Sequence, residues 1–98
     1  MDTVETIRFH LKDGISDDEF LRRNRDVENK YMALRDGFKS RHTARADSGE
    51  WFVWVHWAST DAADATMGSF MGAPETQEFL AAVDGKTVQS GRYQVQAY

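Results

Sequence analysis

Three histidines are the side chains best suited to acid–base chemistry near neutral pH in this sequence. They are His10, His42 and His56, and each falls on a different predicted strand. An imidazole also binds metals well, but the spacing of these three contains no metal-ligand motif, so we expect no metal site. His10 and His56 lie on strands that are expected to be neighbours. We therefore predict that these two line one pocket as catalytic groups, whereas the pattern does not determine which way His42 faces.

Two arginines and two aromatic residues could bind an aromatic ligand beside these histidines. A guanidinium donates paired hydrogen bonds to an anionic or phenolic oxygen, so Arg8 and Arg92 are candidate substrate-binding residues. Trp54 could stack on an aromatic ring as a third catalytic residue, and Phe52 is a third substrate-binding candidate. The alternatives are ion pairs between the arginines and a partner subunit, and simple core packing for Trp54.

Other catalytic chemistries find no support in the sequence. It has no cysteine, which excludes a disulfide framework, a thiol nucleophile and a thiolate metal site. It also lacks a glycine-rich phosphate loop, an activated serine pattern and paired carboxylates at catalytic spacing. The histidines, arginines and aromatic residues are therefore the candidate site.

The segment EWFVWVHWAS, residues 50–59, predicts a strand in which both faces are apolar. Strand side chains alternate between the two faces, so Phe52, Trp54 and His56 share one of them. Sheets in small domains usually bury one face and expose the other. Full exposure of Phe52 and Trp54 would forfeit roughly 4 kcal/mol of burial free energy. We therefore predict that a second copy of the sheet covers this face.

Periodicity and turn signals predict the other elements. Alternation indicates strands over 4–12, 38–45 and 87–98. The capping box SDDE at 16–19 begins a helix that is expected to end near Gly37. A second helix begins at Ser59 or Thr60 and is expected to bury a stripe of Ala63, Met67, Phe70 and Met71. It is broken at GAPE, where Pro74 suits the first turn of a short third piece.

The order of these elements predicts a single α+β, ferredoxin-like βαββαβ domain over residues 1–98. Right-handed crossovers place both helices on one face of a four-stranded antiparallel sheet, with strand order 4-1-3-2. We assign Tyr93 and Val95 to the helix face, which places Arg92 on the open face with Arg8. A homodimer closed by the two open faces follows from the surplus apolar surface.

Composition restricts the partners of this domain. The chain has 98 residues, is 41% hydrophobic and carries a formal charge of −4. The negative charge argues against a nucleic-acid partner, because nonspecific binding needs a basic surface. The longest apolar run, WFVWV, is too short for a membrane span, and no signal peptide is evident. We therefore expect a cytoplasmic protein with no nucleic-acid or membrane partner.

Two segments resemble those of a known family. GISDDEFLRRNRDVENKYMALRDGFKSRHTAR is a helix that leads through Gly-Phe into a strand, and WVHWASTDAADATMGSF is an aromatic strand that runs into an alanine-rich helix. On these segments the chain resembles the dimeric α/β-barrel superfamily, in its antibiotic-biosynthesis-monooxygenase-like (ABM-like) branch. The resemblance covers nearly the whole chain, and it implies that two sheets close face to face into a barrel.

The same resemblance implies three possible functions. Cofactor-independent members use a tryptophan with asparagine, tyrosine or arginine near a phenolic substrate, and Trp54, Arg8 and Arg92 could fill such roles. This favours a monooxygenase-like protein that acts on a small aromatic compound with no cofactor. A non-catalytic ligand-binding or structural homodimer is the alternative. Heme-degrading members share a strand-one asparagine, a strand-three tryptophan and a second-helix histidine, of which only the tryptophan has a counterpart here, Trp54.

Overall fold

One antiparallel sheet positions every candidate residue. The computed structural model describes residues 1–98. It contains the strands β1 (Thr3–Phe9), β2 (Phe38–Arg45), β3 (Trp51–Trp57) and β4 (Gln89–Gln94). Their order in the sheet is β2-β3-β1-β4. The predicted ferredoxin-like βαββαβ fold and its strand order are confirmed.

The helices all pack on the same face of the sheet. They are α1 (Asp17–Lys30), α2 (Thr60–Phe70) and α3 (Gln77–Ala82), with 3₁₀ turns at Met32–Leu34, Pro74–Thr76 and Gly85–Thr87. Ser16 caps α1 by accepting a hydrogen bond from the Glu19 amide at 3.1 Å, and Ser59 caps α2 by accepting one from the Ala62 amide at 3.1 Å. None of these helices has the length and apolarity that a bilayer span requires.

The core between the helices and the sheet is aromatic. Phe20 of α1 is fully buried, and its ring centroid lies 5.6 Å from that of Phe9 and 4.6 Å from that of Trp51. Met67 of α2 and Met71, which follows the last residue of that helix, are not part of this core, because both are more than half exposed. The predicted buried stripe of α2 is therefore wrong at the two methionines. It is correct at Ala63, which is buried, and at Phe70, which packs against the core, and Thr66 is buried as well.

The predicted facing of β4 is also wrong. Glu5 pairs with Arg92 and with Val55, whereas Val4 pairs with Tyr93. Directly paired residues share a face, so Arg92 lies on the helix side with buried Val55, and Tyr93 lies on the open face. The alternation of residues along β4 could not predict which of them face the helices, because both faces of the sheet are apolar.

Ion pairs hold Arg92 on the helix side. One of its terminal nitrogens, Nη1, lies 2.6 Å from Asp64 Oδ1 of α2, and the other, Nη2, lies 3.0 Å from Glu5 Oε2. These two carboxylates raise the pKa of the Arg92 guanidinium above its usual value, with the hydrogen bond that Arg92 donates to Asp64 as the larger cause. Arg92 therefore fixes α2 to the sheet.

Gly37 is a point where the backbone and the packing both require glycine. Its φ is +80°, and an added Cβ would lie 2.6 Å from the Ala62 Cβ of α2. We expect Gly37→Ala to lower the free energy of unfolding by about 2–4 kcal/mol, through backbone strain and overpacking together. Gly14→Ala is the matched control, because Gly14 also has a positive φ but has no atom within 4 Å of an added Cβ. Urea unfolding of both variants tests this, and equal losses would show that α2 relaxes away from residue 37.

Candidate functional site

The open face of the sheet carries residues from all four strands, and the strand register defines which they are. They are Ser40, His42 and Ala44 of β2, Phe52, Trp54 and His56 of β3, Val4, Thr6 and Arg8 of β1, and Gln89, Gly91 and Tyr93 of β4. His42 therefore lies on the open face. Four of the six predicted site residues lie there too: Arg8, Phe52, Trp54 and His56.

A concave depression of about 710 Å³ lies on this face. We call it the open-face cavity. Phe52 and Trp54 of β3 form an aromatic wall on one side of it, and Arg8, Thr6 and Tyr93 provide polar atoms on β1 and β4. A wall of aromatic rings opposite a row of hydrogen-bonding groups is suited to a planar aromatic ligand that carries oxygen substituents.

Tyr93 is a site residue that sequence reasoning missed. An added Cβ on Gly91 would lie 2.9 Å from the Tyr93 hydroxyl oxygen and 3.0 Å from Thr6 Oγ1. The Tyr93 ring therefore lies along β4 over Gly91, with its hydroxyl beside that of Thr6. A glycine inside a strand, two residues before an aromatic residue, is the signal that could have revealed this, because such a glycine is often covered by a neighbouring ring.

Arg8 lies on the open face as the alternation predicts. Its side chain is exposed, and Nη2 donates a 2.5 Å hydrogen bond to Gln89 Oε1 of β4. Neither Arg8 nor Gln89 has a carboxylate partner in the chain, so the charge of the guanidinium remains available to an anionic ligand.

His10 does not join this site, and the predicted convergence of His10 with His56 is wrong. β1 ends at Phe9, and His10 lies exposed, with its amide bonded to Thr87 Oγ1 at 2.8 Å. His56 pairs with Val4 at the other end of β1. Val4 and His10 are six positions apart along the chain, which places the two imidazoles about 20 Å apart along the sheet.

Two other histidines flank Trp54. The ring of His42 stands edge-on to the indole, with the centroids 6.2 Å apart. His56 follows Trp54 by two residues on the same face of β3, and its side chain is only 18% exposed. The structure therefore brings His42, and not His10, into the neighbourhood of the predicted catalytic pair.

Asp2 connects the two ends of the chain at His56. Its Oδ2 accepts hydrogen bonds from His56 Nε2 at 2.8 Å, from Lys39 Nζ at 2.7 Å and from the Tyr98 hydroxyl. The hydrogen bonds from Lys39 and then from Tyr98 hold the pKa of Asp2 well below its usual 3.8. Lys39 is the extra residue of a bulge between Phe38 and Ser40. We call Asp2, Lys39, His56 and Tyr98 the Asp2 cluster.

The helix side of the sheet holds two buried polar atoms without a partner, Trp57 Nε1 and Asn24 Oδ1. Asn24 of α1 is buried, and its Nδ2 donates to Thr43 Oγ1 at 3.1 Å. A smaller depression of about 270 Å³ lies between the 3₁₀ turn at Met32–Leu34 and α2. No group of three or more His, Asp or Glu side chains is placed to hold a metal ion.

Comparison with known proteins identifies the fold. No protein-family model matches the sequence, and no curated protein matches it either. Among solved structures, SnoaB, a cofactor-independent oxygenase from Streptomyces nogalater, superposes with a TM-score of 0.78 at 15% identity, over 99% of this chain and 95% of SnoaB.

Two further structures superpose over nearly their whole length. Rv0793 from Mycobacterium tuberculosis has a TM-score of 0.71 at 16% identity, with 100% of this chain and 98% of that chain covered. A dimeric ferredoxin-like protein of unknown function from Jannaschia sp. has a TM-score of 0.72 at 7% identity, with 97% and 100% covered. The predicted resemblance is therefore confirmed at the level of the fold, which this chain shares with SnoaB and with dimeric ferredoxin-like proteins.

Proposed function

We propose that this chain forms a homodimer through its open sheet faces and oxygenates a planar aromatic compound without a bound cofactor. The observation that carries the proposal is the open-face cavity, with its aromatic wall opposite Arg8, Thr6 and Tyr93. The fold of SnoaB, a cofactor-independent oxygenase, supports the class of reaction as an analogy.

The exposed aromatic surface supports the dimer. Trp54 is 43% exposed and Tyr93 is 61% exposed in the single chain, and both lie on the same face. A two-fold axis facing this side of the sheet would cover the exposed aromatic residues of both copies and would enclose the open-face cavity between the two sheets. The Jannaschia protein with this fold is dimeric, which is consistent with the proposal.

The proposed reaction needs no redox cofactor, because O₂ accepts all the electrons that the substrate loses. An anthrone-type methylene and O₂ give a carbonyl and water, so the substrate supplies all four electrons and keeps one oxygen atom. Trp54 and Phe52 would hold the ring, and Arg8 would stabilise negative charge on the substrate oxygen. His10 and Arg92 are no longer part of the proposed site, because one lies at the far end of the sheet and the other on the helix side.

Oxygen uptake tests this function. We expect the protein to consume one O₂ per carbonyl formed with some member of a panel of anthrones and hydroquinones. Arg8→Gln should lower the turnover by about 10²-fold, as expected when a charge-stabilising donor is lost. Arg25→Gln is the matched control, because Arg25 is exposed on α1, away from the open face. An Arg8→Gln variant as active as the control would contradict the role of Arg8.

A second candidate, a non-catalytic binding protein, is favoured by one observation. The residues that line the open-face cavity include no carboxylate and no imidazole, so the lining itself supplies no conventional base. Quenching of tryptophan fluorescence by the same panel, with no oxygen uptake by any member, would establish binding and overturn the oxygenase proposal.

A further inference from the structure

We infer that His56, oriented by Asp2, is the proton acceptor for an aromatic ligand stacked on Trp54. This inference rests on the proposed function and supplies the base that the cavity lining lacks. An aromatic methylene or phenol must lose a proton before it can transfer electrons to O₂. Imidazole is the side chain suited to that task at neutral pH, and the two imidazoles near Trp54 are His42 and His56.

The hydrogen bonds distinguish these two histidines. His42 is exposed, and its edge-on contact with Trp54 gives its ring no polar partner. His56 is largely buried, and its Nε2 lies 2.8 Å from Asp2 Oδ2. Because the carboxylate accepts hydrogen bonds only, Nε2 carries the hydrogen and Nδ1 keeps its lone pair. Of the two histidines, only His56 has one ring nitrogen held by a hydrogen bond to a carboxylate and a second nitrogen with a lone pair that can accept a proton.

The rest of the Asp2 cluster maintains this arrangement. Lys39 Nζ, at 2.7 Å, keeps the Asp2 carboxylate ionised, so Asp2 does not compete with His56 for the proton. The Tyr98 hydroxyl donates to the same oxygen, and its ring stacks on the imidazole at 6.2 Å between centroids. Asp2, Lys39 and Tyr98 are the titratable groups in contact with His56 or with its partner carboxylate. Asp2 is thus a positioning residue, and His56 is the catalytic one.

The geometry of β3 brings a ligand within reach of His56. Side chains two residues apart on one strand face are about 7 Å apart, roughly twice the thickness of an aromatic ring. A planar ligand stacked on the side of Trp54 that faces His56 would therefore contact the imidazole. The same ligand also contacts the open-face cavity, because Trp54 forms part of its wall.

In the proposed cycle, His56 accepts a proton from the substrate methylene and later returns it. A C–H bond of the substrate methylene breaks, its electron pair stays on the substrate carbon, and the proton forms an N–H bond at Nδ1. The carbanion adds to O₂ to give a peroxide anion, which takes the proton back from the imidazolium. The hydroperoxide then loses water to leave the carbonyl. O₂ is the oxidant, and His56 ends the cycle neutral.

Two variants test the inference against a rival. We expect His56→Gln to lower kcat by about 10²–10³-fold, the usual contribution of an acid–base group. His42→Gln removes the other imidazole beside Trp54 and should cost only a few-fold. A larger loss in His42→Gln than in His56→Gln would overturn the assignment, as would a loss below a few-fold in His56→Gln of an active protein.

The role of Asp2 has a readout that needs no substrate. The ¹⁵N spectrum of the His56 ring at neutral pH should show the hydrogen on Nε2, and Asp2→Asn should redistribute it between the two nitrogens. A wild-type ring with its hydrogen on Nδ1 would overturn the inference whatever the activity. Wild-type protein that turns over no member of the panel would instead overturn the proposed function, so the two failures are distinguishable.

Discussion

Replacing Trp54 with aspartate is expected to leave the chain folded but monomeric. Trp54 lies at the centre of the face proposed as the dimer interface, and its paired residues are Thr6 and His42. Two-fold symmetry would place two carboxylates in that interface, each at a desolvation cost of several kcal/mol. A total loss of about 4 kcal/mol raises the dissociation constant by about 10³-fold.

Light scattering at micromolar concentration measures this change, with circular dichroism to confirm the fold. Met67→Asp is the matched control, because Met67 is an exposed apolar residue, 53% accessible, on the outer side of α2. The control should remain a dimer. A monomeric wild-type protein, or a Trp54→Asp variant that stays dimeric, would contradict the proposed interface.

The alternation of side chains predicted the facing of β3 correctly. In β3, Trp51 and Val53 are buried under the helices, while Phe52 and Trp54 face outward, as alternation predicts. In β4 the same reasoning was wrong, because Tyr93 has an apolar environment available on either face. Its position is determined by the pairing with β1 and by the ion pair of Arg92 with Asp64, which are long-range contacts that periodicity does not report.

Strand ends limited the prediction of the site. His10 continues the alternation of β1, but β1 ends at Phe9, because the chain turns to pair Leu11 with Val83. The His10 carbonyl accepts a hydrogen bond from the Asp84 amide at 2.9 Å, and Asp84 lies before β4 in the sequence. Boundaries of elements depend on such contacts, so a residue at the end of a predicted strand carries less information about facing than one at its centre.

The Asp2 cluster could not be predicted from the sequence. Asp2 and His56 are 54 positions apart, and Asp2 and Tyr98 are 96 positions apart. Lys39 reaches the cluster through a β-bulge, which shifts its position relative to a regular strand. No sequence motif marks the four residues of the cluster, because they come together only when the strands of the sheet pair.

Truncation of Phe20 is expected to be the most destabilising single change in the core. Its side chain is fully buried, and its ring lies within 5.6 Å, between centroids, of those of Phe9, Trp51 and Phe79. Phe20→Ala should lower the free energy of unfolding by about 3–5 kcal/mol, through lost burial and the cavity left among rigid rings. The next residue, Leu21, is the matched control, because it is 41% exposed on the same helix.

Urea unfolding in the monomeric Trp54→Asp background gives the cleanest measurement. In a dimer, unfolding includes dissociation, so the apparent stability depends on protein concentration and would mix the core with the interface. In the monomer, the two truncations differ only in how much packing each removes. Leu21→Ala should cost less than about 1 kcal/mol there. A Phe20→Ala loss as small as that would mean that the surrounding rings collapse into the vacated space and that the core is less rigid than its packing indicates.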